Sequence, residues 1–419
     1  MKIVRSSIIL LAGEAVTMLC CVATLSLYAR RFDKAHMSDY LLVLAGIAIT
    51  SPLLGMGAYP AVLYWAGKRT DQPKEAIKVL CAAMAVIAAT GLSFVLISGM
   101  LSGPLAEFYF RRPGARSLLL AGELLLLARM TFAIAISYCW AMGGGIVAGL
   151  LQVTVIGLIP LMVVVAGRRL SLPSLIAVTG ALSLTVTGLY LVREVARTGA
   201  GVRELFDRRI IRDVLAYGAP RVPAIVGYFV TFCIPTVLAK WLGCEDSQVV
   251  VVGTSMTVLR MLAMSGRVVG YLGLPRISRI SESNLPLLRK NLSRLAWVTM
   301  AAGLGAAGFF VLLGDTLLKW WLGRPSLVTD GITVFLWPAI APFVVVVVAW
   351  PVIDGLSRRA HITRNVLVAI AAMVTVTLTT RRVVSPATAL AAGTLTSITL
   401  LAALNAWTAR RLLHARDGS

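Results

Sequence analysis

Apolar runs recur twelve times along this chain, near 6–28, 40–66, 79–101, 118–140, 143–166, 174–192, 217–239, 249–273, 296–318, 331–353, 366–380 and 387–408. A helix rises about 1.5 Å per residue, so about 20 apolar residues cross a hydrocarbon core of about 30 Å. All but the eleventh run come close to or exceed that length. Lipid offers the backbone no hydrogen bonds, so runs of this length span as helices that satisfy their own amides and carbonyls. With 58% of residues hydrophobic and 14% charged, no soluble catalytic domain fits between them. The expected fold class is all-α integral membrane, with about 12 transmembrane helices. The first run ends in "YARRFDK" without a small-residue cleavage site, so it reads as the first span rather than a signal peptide.

The formal net charge of +22 sits mostly in short loops, not in aromatic-interleaved basic segments, which favours a membrane surface over nucleic acid. Lys and Arg concentrate on one side, in "GKRTDQPKEAIK", "REVARTGAGVRELFDRRIIRD", "RISRISESNLPLLRKN", "DGLSRRAHITRN" and the tail "RRLLHARDGS". By the positive-inside rule both termini are expected in the cytoplasm. Cys20, Cys21, Cys81, Cys139 and Cys233 fall inside apolar runs and Cys244 stands alone in a loop. With no CxxC spacing and no clustered histidine, neither metal nor cofactor is expected. His36, His361 and His414 lie in loops or the tail, and no GxxxxGK[ST] loop exists. The chain therefore reads as a transporter and not as an enzyme.

The sequence repeats itself weakly. A shift of about 215 residues lays spans one to four on seven to ten and six on twelve, and it superposes Pro60 of "LLGMGAYPAVLYW" on Pro275 of "VVGYLGLPRISRI". Two six-helix lobes are implied, 1–192 and 217–419, joined by the basic cytoplasmic linker 193–216. An even number of spans per lobe gives parallel repeats with a transport cavity between them.

Several stretches resemble one family. "RFDKAHMSDYLLVLAGIAITSPLLGMGAYPAVLYWAGK" (31–68), "LAYGAPRVPAIVGYF" (215–229), "GLPRISRI" (273–280) and "IDGLSRRAHITRN" (353–365) are similar to segments of the polysaccharide transport branch of the multidrug/oligosaccharidyl-lipid/polysaccharide exporter (MOP) superfamily, the O-antigen flippase type. That resemblance implies a V-shaped central cavity between the lobes. It implies movement of an undecaprenyl-diphosphate-linked oligosaccharide from the inner to the outer leaflet of the bacterial cytoplasmic (inner) membrane, for O-antigen, capsule or exopolysaccharide synthesis. Membrane lipids, a polysaccharide polymerase and a chain-length regulator are the further partners it implies. The alternative is a secondary active small-molecule or drug exporter of the same superfamily, or a major-facilitator-like transporter. The G-x-x-x-D-R-x-G-R-[RK] loop of major-facilitator proteins is absent from "WAGKRTDQPK", and a cationic-drug exporter is expected to line its cavity with acids.

Few charges lie inside the spans. Arginine at the bilayer centre costs about 2.5 kcal/mol or more, so such residues mark a pathway or a partner. Arg260 and Arg267 are almost two turns apart on one face, about 10 Å along the axis. Arg221 at the cytoplasmic mouth of the seventh span extends them into a ladder suited to a diphosphate, which guanidinium binds bidentately. Arg129 is assigned to the cavity lining. Each has a plainer reading: Arg267 snorkels to headgroups, Arg260 pairs with Glu14 or Glu123, and Arg221 meets lipid. Glu14 and Glu123, the deep acids, are candidates for ion coupling or for counter-ions. The patches "GMGA", "GGGIVAG" and "GLGAAG" are expected to serve close helix packing, Pro52, Pro60, Pro160, Pro235, Pro338, Pro342 and Pro351 to bend spans, and Trp241, Trp320 and Trp321 to anchor at the interface.

Overall fold

The computed structural model describes the backbone of residues 2–199, 205, 207–277, 285–323, 332–356 and 361–415. Side chains are described within 12–199, 205, 207–262, 293–294, 297–298, 300–323, 332–350, 352–353 and 361–413. Among the described residues the chain is helical throughout. Eleven helices are long and apolar enough to cross a membrane, and the expected eighth run lies in a further helix, Asp246–Ile277. Leu96, Met100, Leu189, Leu312 and Trp320 stand largely exposed, as befits helices whose solvent is lipid. The protein is a multi-pass membrane protein with two compact units. Unit one comprises 1–31 and 42–226, and unit two comprises 32–41 and 227–419.

In unit one the helices are α1 (Lys2–Arg31), α2 (Lys34–Leu54, residues 34–41 of which group with unit two), α3 (Ala58–Gly67), α4 (Pro73–Met100), α5 (Ser102–Phe110) and α6 (Arg116–Ala141). They are followed by α7 (Gly145–Gln152), α8 (Ile159–Ala166), α9 (Leu172–Thr198) and α10 (Arg208–Gly218). The expected second span, 40–66, is broken. Its helix stops at Leu54, and Met56 and Gly57 take positive φ of 46° and 71°. The carbonyl left open at Leu54 accepts the Thr90 hydroxyl at 2.7 Å. Tyr59 Oη donates back across the turn to Ser51 O at 2.8 Å. "GMGA" is thus a helix break as well as a packing patch.

The fifth span is bent by chemistry that Pro160 dictates. Proline has no N–H for the carbonyl four residues earlier, and its ring crowds that carbonyl. Val153–Leu158 accordingly widens into a π turn between α7 and α8, and Ile156 O accepts the Cys21 thiol at 3.7 Å instead. The neighbour supplying that thiol is α1, whose Gly13 and Cys20 face Gly149 and Gly157 across a seam of small residues. Thr17 and Thr24 on α1 return their hydroxyls to Gly13 O and Cys20 O at 2.8 and 2.7 Å. At the outgoing end of α1, Arg31 donates to Gly167 O at 2.8 Å and to Leu170 O, complementing the negative end of α8.

The described residues of the basic segment 193–216 are mostly helical. α9 continues to Thr198, and α10 packs on α3 and α4. α10 buries Ile210 and Val214 and exposes Arg208, Arg209 and Arg212, with Asp207 capping it through the Arg209 amide at 2.8 Å.

Unit two holds α11 (Val222–Trp241), α12 (Asp246–Ile277), α13 (Leu285–Leu322), α14 (Ile332–Leu336), α15 (Ile340–Leu356), α16 (His361–Thr380) and α17 (Pro386–Ala415). Residues 222–226 of α11 group with unit one. Lys240 and Asp246 pair at 2.6 Å across the turn between α11 and α12. The tenth span breaks at Pro338, where a 3₁₀ turn, Trp337–Ala339, separates α14 from α15. The eleventh span is longer than expected because α16 takes in "HITRN". Buried Asn365 makes this tolerable by donating to Asn405 Oδ1 at 2.9 Å and Thr408 Oγ1 at 3.1 Å.

Candidate functional site

In unit one, α1 carries Glu14 deep within its length, 7% exposed, and α6 carries Glu123, 4% exposed. Neither makes an ion pair among the described residues. Glu14 Oε2 and both Glu123 carboxylate oxygens are buried without a hydrogen bond of ordinary geometry. The Ser98 hydroxyl lies beside Glu123 but donates to Phe94 O at 2.7 Å. Desolvation without compensation is costly to a bare carboxylate.

Arg129 lies half-buried near the middle of α6. Glu123 and Arg129 are not paired along α6, as their spacing on different faces requires.

Arg221 closes the 3₁₀ turn Ala219–Arg221 between α10 and α11. Its guanidinium lies 3.8 Å from the centroid of the Tyr217 ring, and Nη1 donates to Tyr217 O at 2.7 Å. By packing it belongs to unit one.

Arg260 belongs to unit two and sits half-buried near the middle of α12. Its described partner is Cys233 Sγ on α11, 3.9 Å from Nη1. A thiol is a weak acceptor, so the guanidinium keeps most of its five donors for other company. No carboxylate of its own unit pairs with it among the described residues. In the same unit, Tyr228 of α11 meets Phe232 and, on α15, Trp350 at 5.0 and 5.2 Å between centroids, and Phe232 meets Phe343 at 4.5 Å. Arg267 and Pro275 lie outside the described side chains.

The membrane-embedded charges therefore fall into two groups. Glu14, Glu123 and Arg129 sit in unit one, and Arg260 sits in unit two with Asp315 of α13 and Asp39 of α2, a fully buried acid that sequence reading does not count among the deep ones. No group of three His, Cys, Asp or Glu among the described residues could hold a metal ion. Trp320 is exposed as an anchor should be, whereas Trp241 is half-buried. Sequence reading missed the Cys233 contact, which has no spacing signal, and the aromatic partner of Arg221, which the four-residue spacing from Tyr217 could have shown.

No protein-family model matches the chain, and no curated protein sequence matches it. Solved structures do. A MOP superfamily transporter from Pyrococcus furiosus Vc1, described as having a binding pocket of reverse polarity that suggests a different function, superposes with a TM-score of 0.74 at 14% identity, covering 99% of this chain and 96% of that one. A MATE crystal structure in complex with MaD3S gives 0.69 at 15% identity over 100% and 96%. The inward-facing conformation of a multidrug resistance MATE family transporter of the MOP superfamily gives 0.67 at 14% over 99% and 99%. The chain has, over its whole length, the fold of these transporters.

Proposed function

We propose that the protein is a secondary active transporter of the MOP superfamily that exports small molecules. The observation that carries this reading is the end-to-end likeness in fold to multidrug exporter structures. The buried acids Glu14 and Glu123 fit it, because a carboxyl with no ion pair inside a membrane helix can exchange a proton or receive a cationic substrate. Movement follows from alternating access, and the gradient of protons or sodium supplies the drive.

The test is transport in proteoliposomes containing the full chain, with ethidium as the probe and an imposed proton or sodium gradient. Gradient-dependent ethidium movement is expected, and Glu14→Gln or Glu123→Gln is expected to slow it by about tenfold or more, the effect of neutralising a coupling group in the membrane. Movement indifferent to both gradients would sink the reading.

A second reading is favoured by Arg129 and Arg260, cations within the spans where a cationic-drug exporter has no use for them. It is the flipping of an undecaprenyl-diphosphate-linked oligosaccharide across the bacterial inner membrane for O-antigen, capsule or exopolysaccharide synthesis. Both termini would face the cytoplasm, and a polymerase and chain-length regulator would act downstream. Arg260, Arg267, Arg221 and Arg129 would bind the diphosphate. Cells lacking the protein would accumulate the lipid-linked oligosaccharide in the cytoplasmic leaflet, and Arg260→Ala at matched expression would fail to clear it. Absence of accumulation removes this reading.

A further inference from the structure

Where α3 ends, unit one carries a cluster of which the transport readings use only Arg221. Tyr64 and Tyr217 stack at 4.4 Å between centroids with 12° between planes. Trp65 meets the two rings edge-on at 5.1 and 6.5 Å. Lys68 Nζ lies 4.3 Å from the Tyr64 centroid and donates to Tyr64 Oη at 2.6 Å. The guanidinium of Arg69 lies 5.5 Å from the Trp65 ring, and that of Arg221 lies 3.8 Å from Tyr217. Stacked rings leave no room for a cation between them, so Lys68 and Arg221 take the outer sides of the pair. The negative ring faces hold the cations in place without neutralising them.

Neutralisation by acids is also missing. None of Lys68, Arg69 and Arg221 makes an ion pair among the described residues. Asp71 of the same loop is exposed and makes no ion pair among the described residues, and Glu75 in the first turn of α4 is engaged by Lys78 at 2.6 Å. The adjoining α10 adds exposed Arg208, Arg209 and Arg212 and offsets them only with Asp207 and Asp213. Arg221 uses Nη1 on Tyr217 O and keeps the remainder of its fork. Tyr64 and Lys68 are both exposed.

We propose that this cluster binds the phosphate group of an anionic phospholipid, in the leaflet that the basic loops face. Preset guanidinium and ammonium groups match phosphate oxygens, tyrosine and tryptophan sit comfortably at headgroup depth, and juxtamembrane cations are drawn to anionic lipid. α10 lies on the same edge and continues the positive surface that such lipids would coat. The site shares no residue with the buried acids, and Lys68 and Arg69 belong to neither transport reading.

The experiment follows the melting temperature of the detergent-solubilised full chain during titration with phosphatidylglycerol, phosphatidylcholine or inorganic phosphate. Phosphatidylglycerol alone is expected to raise it. The triple variant Lys68→Gln/Arg69→Gln/Arg221→Gln is expected to need about fivefold more phosphatidylglycerol per residue changed. Arg168→Gln/Arg169→Gln, in the exposed loop after α8, is expected to titrate as wild type. Because Arg221 also holds its own backbone, the double variant Lys68→Gln/Arg69→Gln serves if the triple variant does not fold. Unchanged titration in the variant tested, an equal loss in the Arg168/Arg169 control, or an equal shift with phosphatidylcholine would each overturn the proposal. A full shift with inorganic phosphate alone would overturn the lipid assignment in favour of a free phosphate.

Discussion

Gly57 and Gly218 bring two backbones closer than any side chain permits. A Cβ at Gly57 would meet the Gly218 carbonyl, and one at Gly218 would lie 2.5 Å from Gly57 O. Gly218→Ala is expected to lower stability by about 1–3 kcal/mol through overpacking. Gly57→Ala adds about 1 kcal/mol for its left-handed backbone, and the melting midpoint in detergent reports both. This crossing seats α10 against α3, and so it sets Tyr217 on Tyr64. Asp33 gives a pH-dependent example at the same scale. The His36 amide donates to its carboxylate at 2.8 Å, at the start of α2. That bond is the main cause holding the Asp33 carboxyl below the usual carboxylate value. A depressed folded pKa stabilises above the unfolded value of 3.8 and is lost as pH falls through the lower folded value. Asp33→Asn is therefore expected to lower stability at neutral pH while leaving it almost unchanged once the wild-type carboxyl is protonated, flattening the acid limb below about pH 4, as a series of melting curves against pH would read.

Breaks in the helices of the second, fifth and tenth spans decide where charged and aromatic side chains end up. The π turn at Val153–Leu158 rests on one missing N–H. Pro160→Ala restores that donor, so the amide at 160 is expected to close on Ile156 O and to become protected in hydrogen exchange. An amide at 160 that exchanges freely would show that the turn has another cause. Cys21→Ala removes the thiol that now serves this carbonyl, at a cost of about 0.5–1 kcal/mol. Much of this layer was legible in the amino acids. Long apolar runs fix the spans because lipid leaves the backbone no other choice, and Pro160 and Pro338 mark two of the three breaks. The end of α2 at Leu54 was readable only as a glycine patch, since hydropathy does not register a positive φ. The start of α16 was concealed because polar Asn365 counts against a span until Asn405 is known to face it. In the cluster, Tyr64 with Lys68 and Tyr217 with Arg221 had the four-residue helical spacing, but nothing local told that the two pairs meet, because a crossing of two glycines far apart in the chain brings them together.

At the scale of the molecule, sequence halves and packing units are not the same pieces of chain. Residues 32–41 group with unit two, and residues 217–226, the start of the second half, group with unit one. Each unit therefore contains a segment encoded in the opposite half. Fragments 1–199 and 207–419 are expected to accumulate in membranes only when expressed together and to co-purify. Stable accumulation of either one alone would contradict this. The trade of segments means that neither sequence half is self-sufficient in its packing. An insertion, a permutation or a graft from a relative that respects the repeat will sever both exchanged pieces at once. The natural unit of inheritance for this protein is the entire chain.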